Sequence, residues 1–317
     1  MISVIIPAYN AARTIDVCLA ALQNQTLAAA EYEVIVVDDG STDDTAARAQ
    51  KTNVTLLRQP HNKGAAAARN LGLTAATGDI ICFTDADCVP RPDWLAELTR
   101  PLQDPSISGG KGIYETNQQQ LVARFVQIEY EDKYDLMHGQ ETIDFVDTYS
   151  AVYRHSALDA VGGFDERIFY VEDQELSFRL VAQGYKMVFC PTAVVSHTHS
   201  DTIRKYARKK YMIGYHKAQF IRRYPNRVIR DSHTPQSLKV QMGLAALILL
   251  SLAGTILLTT LALVTAVLLF IFLLTTLPFG RKAWGKDRAV ALASPFLLFV
   301  RAVSLGFGFG QSIISVS

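Results

Sequence analysis

The sequence predicts an α/β protein with a mostly parallel sheet, followed by a helical membrane region. Three observations carry this. Strand-like and helix-like stretches alternate through the first 90 residues, the pattern of repeated β-α units. One of the strands is a continuous β-branched run, as expected where both sheet faces are buried. Residues 241–277 then hold no charge over 37 positions, well beyond the roughly 18 apolar residues that mark a membrane-spanning segment.

The elements follow in order. "SVIIP" reads as a short strand, and residues 11–24 carry a helical apolar pattern at Ile15, Leu19 and Leu22. "YEVIVVDDGS" is the β-branched strand. "STDDTAARAQ" starts a helix in which Ser41 is placed to cap, with Asp43 and Asp44 in the positive first turn. "VTLLRQ" is a third strand, "GAAAARNLGLTAATG" an Ala-rich helix closed by Gly78, and "DIICFTDAD" a fourth strand. Ligands of such sheets lie beyond the carboxyl ends of the strands. Here those ends hold Pro7 to Asn10, Asp38 with Asp39, and Asp85 with Asp87. No GxGxxG or GxxxxGK[ST] occurs, so the usual dinucleotide and P-loop cradles are missing.

The chain has 317 residues, enough for one large or two ordinary domains. Its net charge of +1 hides an asymmetry: 15 Lys/Arg against 27 Asp/Glu in residues 1–200, and 16 against 3 in the rest. An acidic part joined to a basic part suggests two tasks. Cys18, Cys82, Cys88 and Cys190 form no CxxC pair, and "MISVIIPAYN" shows no export signal. Zinc and disulfides are therefore not expected, and the cysteines read as small buried residues.

"CFTDADCVP" places two carboxylates at i and i+2 where a strand ends. With diphosphate oxygens they suit Mg²⁺ or Mn²⁺, which take oxygen ligands and seldom a full protein cage. Taken singly, such a pair is equally a solvated turn.

The order "SVIIPAYN", "VIVVDDGSTDDT", "NKGAAAARNLG", "ATGDIICFTDADCVPRPDWL", "VGGFDERIFYVEDQELSFRL" resembles family 2 glycosyltransferases of the inverting GT-A type, over residues 2–200. The resemblance implies a Rossmann-like GT-A domain that moves a sugar from a nucleotide diphosphate, UDP favoured, to an acceptor hydroxyl. It implies that Pro7, Ala8 and Tyr9 line base and ribose, with Asn10 and Ala86 in the same donor-binding set. Asp39 would accept from the base, Asp38 support the turn, and Arg69 and Lys63 face the nucleotide. Asp85 and Asp87 would form the metal motif for Mn²⁺ or Mg²⁺. One departure is Ala11-Ala12 after "PAYN", where the family often has an acid.

Inverting transfer needs a carboxylate to deprotonate the acceptor, on an element separate from the metal motif. "FYVEDQELSFRL" offers Glu172, Asp173 and Glu175, and by resemblance to the family's ED motif Asp173 is the base and Glu172 its neighbour. The same acids also suit a helix first turn. Asp165, in "VGGFDE", is read as positioning a loop or meeting the acceptor. In "VVSHTHS", His197 is the favoured additional metal ligand and His199 the alternative, since imidazole binds Mn²⁺.

Residues 201–240 carry eleven Lys/Arg and two Asp, with Tyr206, Tyr211, Tyr215 and Phe220 interleaved at helical spacing. This reads as a set of amphipathic helices on an anionic membrane surface. The adjoining apolar run argues against nucleic acid. The expected organisation is a transferase domain over 1–200, interface helices over 201–240 and a membrane region over 241–317. One helix of 37 residues would be about 56 Å long, too long for a hydrocarbon core of about 30 Å. A break within 251–260 gives a hairpin whose flanking basic loops, 222–239 and "GRKAWGKDR", both stay cytoplasmic. A third segment, 289–313, either spans or re-enters. Within it, Arg301 is expected to face protein or headgroups and to pair with an anionic group, from the protein or from a polyprenyl phosphate. These features imply a multi-pass protein of the cell membrane with a cytoplasmic catalytic domain and a lipid or polyprenyl-linked acceptor. A processive polysaccharide synthase is the second enzyme reading, weakened by the lack of QxxRW, and an inactive membrane scaffold is the third.

Overall fold

The structure is a computed structural model and describes residues 1–223 and 235–315. The interface-helix and basic-loop expectations for 224–234 lie outside the described residues. Two compact units form: Met1–Asn117 with Leu136–Thr198, and Gln118–Asp135 with His199–Ser317.

The first unit is built on one eight-stranded sheet. Its elements are β1 (Ile2–Ala8), α1 (Ile15–Gln23), β2 (Tyr32–Asp38), α2 (Thr45–Ala49), β3 (Thr55–Arg58), α3 (Ala65–Ala75), β4 (Ile80–Thr84), β5 (Cys88–Pro90), α4 (Trp94–Thr99), β6 (Ile107–Glu115), α5 (Leu121–Met137, whose residues up to Asp135 belong to the second unit), β7 (Ser150–Arg154), α6 (His155–Val161), α7 (Glu172–Ala182) and β8 (Lys186–His197). The strand order is β3-β2-β1-β4-β7-β6-β8-β5. Four pairings are parallel and three antiparallel, a mostly parallel GT-A-like sheet. Val4, Ile5, Ile6, Ile35, Val36 and Val37 are fully buried, which is why β1 and β2 show no polar alternation. The register aligns Ala8 with Asp38 and Ile5 with Phe83, so the acidic ends of β2 and β4 flank the end of β1.

Two local expectations are corrected. Ser41 does not cap a helix: α2 begins at Thr45 after Asp44, and the Ser41 hydroxyl accepts from the Asn10 amide at 2.9 Å. The Asp44 side chain does not cap α2 either, so the "STDD" stretch serves loop contacts instead. Gly78 does not close α3, which ends at Ala75. Its amide donates to Ser3 Oγ at 2.8 Å, and a Cβ there would lie 2.7 Å from the Met1 carbonyl oxygen. The glycine is needed for that close approach. All four cysteines are buried free thiols.

The second unit contains α5 up to Asp135, α8 (Ile203–Arg223), α9 (Gln236–Gly254), α10 (Leu261–Lys286) and α11 (Arg288–Ile314). Helices α9, α10 and α11 are long and apolar enough to cross a membrane, by length and composition. The break between α9 and α10 falls at residues 255–260, inside the expected interval. The segment expected to span or re-enter is one continuous helix that accommodates Pro295. That α5 joins this unit has no signal in the apolar pattern. Its acids find cations there: Asp132 and Asp135 pair with Lys282, and Glu131 pairs with Lys286. Arg301 also has protein partners, Glu129 at 3.0 Å and Gln241 at 2.8 Å.

Candidate active site

The residues expected to handle donor and metal all lie in the first unit. β4 ends at Thr84, and the chain turns through Asp85, Ala86 and Asp87 before β5 pairs antiparallel with β8. That pairing sets Cys88 opposite His197. The His197 Nε2 atom lies 3.4 Å from Asp87 Oδ2, and its ring packs on Tyr114, which stacks on Tyr149. His199 belongs to the second unit, where Nε2 bonds Gln127 at 2.9 Å and the ring stacks on Tyr130. His197 adjoins the DxD.

Potential ligand atoms of Asp85, Asp87 and Cys88 lie within 4.8 Å of one another. Burial pushes the Cys88 thiol well above its ordinary pKa, and a soft sulfur is a poor ligand for a hard cation. Asp87 is 49% exposed on its side chain. The donor set fits a divalent cation taken largely through oxygen: Asp87, the Asp85 oxygen not bound by arginine, and His197 at the edge.

Arg69, on α3, is buried at the centre. Its Nη2 donates to Asp85 Oδ1 at 3.0 Å and its Nη1 to Glu172 Oε1 at 2.9 Å. Its guanidinium lies 5.6 Å from the centroid of the Phe164 ring. The planar fork therefore joins the metal motif to the first turn of α7. In that turn Asp173 Oδ1 accepts from the Gln174 amide at 2.7 Å. Burial, then Glu172 and Asp147, push the Asp173 carboxyl well above the ordinary carboxylate range, with Arg69 opposing them. A raised carboxylate suits proton abstraction near neutral pH.

The donor-side residues line the strand ends. Asp39 is buried, and its two oxygens accept from the amides of Lys63 at 2.8 Å and Gly64 at 2.9 Å. Asp38 accepts from the Ser41 amide at 3.1 Å. Asn10 adopts φ 49° and its Oδ1 accepts from the Thr42 amide. Pro7 and Ala8 finish β1, and Tyr9 beyond them is half exposed. A cavity of about 260 Å³ lies by the start of α3, lined by Lys63, Gly64, Phe169, Tyr170 and Glu172 among others. Asp165 is engaged locally, by the Arg167 guanidinium at 2.9 Å.

The sequence did not single out Lys111, Asp147, Phe164 or Tyr149. Lys111, fully buried, pairs with Asp147 and faces the Phe145 and Tyr149 rings. Asp147 lies in an aperiodic stretch, "DFVDTYS", and Lys111 among glycines. A lysine inside the otherwise uncharged stretch "SISGGKGIY" was the available signal, since buried lysines are rare unless paired.

Residues 3–162 match the family described as Glycosyl transferase family 2. The pre-mycofactocin glycosyltransferase of Mycobacterium tuberculosis is 32% identical over 249 residues, 71% of this chain and 48% of that protein. This chain thus spans about half the length of that relative. The glycosyltransferase AglE of Haloferax volcanii is 29% identical, covering 67% of this chain and 71% of its own. Among solved structures, the mannosyltransferase PcManGT of Pyrobaculum calidifontis, in complex with GDP-Man and Mn²⁺, superposes with a TM-score of 0.65 at 20% identity. The match covers 100% of this chain and 88% of that one, and at this identity it speaks for the fold.

Proposed function

The chain belongs to glycosyl transferase family 2, and on that premise we propose that it transfers a sugar, with inversion, from a nucleotide diphosphate to a lipid or lipid-linked hydroxyl at a membrane. The observation that carries this reading is the Arg69 bridge. One buried guanidinium ties the Asp85 of the DxD to the Glu172 beside Asp173, so metal motif and candidate base share one rigid element.

In this mechanism Asp173 takes the proton from the acceptor hydroxyl as its oxygen attacks the anomeric carbon from the face opposite the diphosphate. Glu172, held by Arg69, fixes the first turn of α7 and keeps Asp173 aimed. Asp85, Asp87 and His197 would hold Mn²⁺ or Mg²⁺, which neutralises charge on a leaving diphosphate. Pro7, Ala8, Tyr9, Asn10, Asp38, Asp39, Lys63 and Ala86 surround the nucleoside end of the donor. A UDP-sugar is the first donor to test, with GDP-mannose, the ligand of the Pyrobaculum protein, as its competitor.

The acceptor class and location rest on the second unit. It combines the cationic, aromatic α8 with helices apolar enough to cross a membrane. Such a chain works where lipid acceptors reside, and its basic segments favour the cytoplasmic face of a cell membrane. Purified protein should release nucleoside diphosphate from one or more sugar donors, dependent on Mn²⁺ or Mg²⁺, and glycosylate a polyprenyl-phosphate or glycolipid extract. If it neither cleaves any donor of a broad panel nor shows metal-dependent donor binding, the transferase reading is wrong.

A further inference from the structure

We propose that only α9 and α10 cross the bilayer, and that α11, though long and apolar enough to span, lies with α8 as a two-helix plate in the headgroup layer of an anionic lipid surface. The proposal rests on the membrane-anchored reading above and fixes how that anchor meets the lipid.

The argument starts with α8. Its 21 residues include eight Lys/Arg and no Asp/Glu. A Lys or Arg at mid-bilayer costs about 2.5–3.5 kcal/mol on insertion scales, so this helix does not lie in hydrocarbon. It belongs at the interface, cations toward headgroups.

The second half of α11 is bound to α8 along its length, with three pairs offset by the same 91 positions. Lys210 and Arg301 share Glu129 on α5, at 3.1 and 3.0 Å. Four positions on from each, Gly214 meets Leu305, and a Cβ at Gly214 would collide with the Leu305 carbonyl oxygen. Eight positions further on from each, Arg222 Nη2 donates to the Ile313 carbonyl at 2.9 Å. Gly308 likewise leaves no room for a Cβ against the Tyr211 carbonyl, and the Tyr211 hydroxyl bonds the Gln311 side chain. Twelve residues of shared register amount to about 18 Å of helix, so the two run side by side rather than crossing at a point. A helix fastened backbone to backbone along a cationic interface helix shares its depth.

Contacts of α11 with the hairpin run from its open end to midway along α10. Arg301 meets Gln241 in the second turn of α9, Phe299 packs edge-on against Phe272, and Ser294 lies across from Gly280. At the other end, by the α9–α10 turn, Ile256 and Leu257 are 86% and 87% exposed. There α9 and α10 are joined to each other through Ser251 and Thr265. Four of the five large apolar residues that α11 exposes, Leu292, Phe296, Phe307 and Ile314, are spaced 4, 11 and 7 apart and share one stripe, with Ile313 to its side. Opposite it, Ser294, Leu298, Arg301, Leu305 and Ser312 are buried. An apolar stripe opposite a buried face is what dips from the interface into the acyl boundary.

The test uses three single-cysteine variants of the full chain, Lys209→Cys on α8, Thr259→Cys in the α9–α10 turn and Ser315→Cys after α11. The four native thiols are buried and give low background. Right-side-out and inverted vesicles are labelled with a membrane-impermeant maleimide. The expected result is that Lys209→Cys and Ser315→Cys label from one side only and Thr259→Cys only from the other. Ser315→Cys labelling from the same side as Thr259→Cys would mean three crossings and overturn the proposal. If all three label from one side, or the chain leaves the membrane in alkaline carbonate, the membrane-anchored reading itself fails, and the proposal with it.

Discussion

Arg69 donates through Nη2 to Asp85 at 3.0 Å, so the first carboxylate of the DxD is held by a buried cation from a different β-α unit. The same guanidinium bonds Glu172. Asp85 therefore retains one oxygen for a metal, and the half-exposed Asp87 is the more available ligand.

Replacing Arg69 with Gln should disconnect the two halves of the site. Two part-buried carboxylates then lose their shared buried cation, at a cost below the roughly 3–5 kcal/mol typical of a fully buried pair. Arg69 also opposes the upward shift of Asp173, so its loss should move the acidic limb of the pH–rate profile to higher pH. A limb left in place in Arg69→Gln, measured as kcat/KM against pH, would remove Arg69 from that role.

Asp173→Asn keeps the shape of the side chain but cannot take a proton. Transfer should fall about 10²–10⁴-fold while donor affinity stays near that of the parent. In the parent, transfer should rise with pH through a value above the ordinary carboxylate range, because the base must be ionised and burial resists this. Near-parental turnover of the variant would exclude Asp173 as the base.

Asp87→Ala should abolish metal-dependent donor binding, since Asp87 is the exposed member of the DxD and adjoins His197. Calorimetry with Mn²⁺ and a nucleotide sugar reads this directly. His197→Gln should weaken the metal dependence less, for it touches the site from the edge. Unchanged affinity and unchanged metal dependence in Asp87→Ala would show that the motif is a structural turn.

Glu129 is the sole carboxylate bonded by Lys210 and Arg301 among the described residues. Burial alone would raise its pKa, but Lys210 and Arg301 hold it down at about 2. Its stabilising contribution is therefore complete above the ordinary carboxyl range and is lost as pH falls toward 2. Glu129→Gln should cost about 3–5 kcal/mol at neutral pH by leaving two buried cations without their anion. A thermal midpoint in detergent equal to the parent's would contradict this.

Much of the first unit was legible in the sequence, because strand burial leaves a direct mark there. Ile5, Ile35 and Val37 are apolar without alternation since both sheet faces are covered. The strand-end positions of Asp39 and Asp85 follow from the β-α order alone. The break between α9 and α10 was readable too, from the mismatch between an apolar run and the thickness of a bilayer.

Tertiary structure alone decided the rest. No spacing rule connects Arg69 to Glu172, 103 positions apart, or Glu129 to Arg301, 172 apart. Ser41 looked like a helix cap because capping residues also serve loops, and which use wins depends on a partner, Asn10, from another strand end. The sequence favours His197 over His199 as a ligand but places neither. β8 ends at His197 beside Asp87, while His199 belongs to the other unit. Composition and periodicity record which faces are buried and which segments are apolar, because those depend on near neighbours along the chain. Which charge meets which depends on where the chain returns, and for this protein that is what joins DxD to ED and α11 to α8.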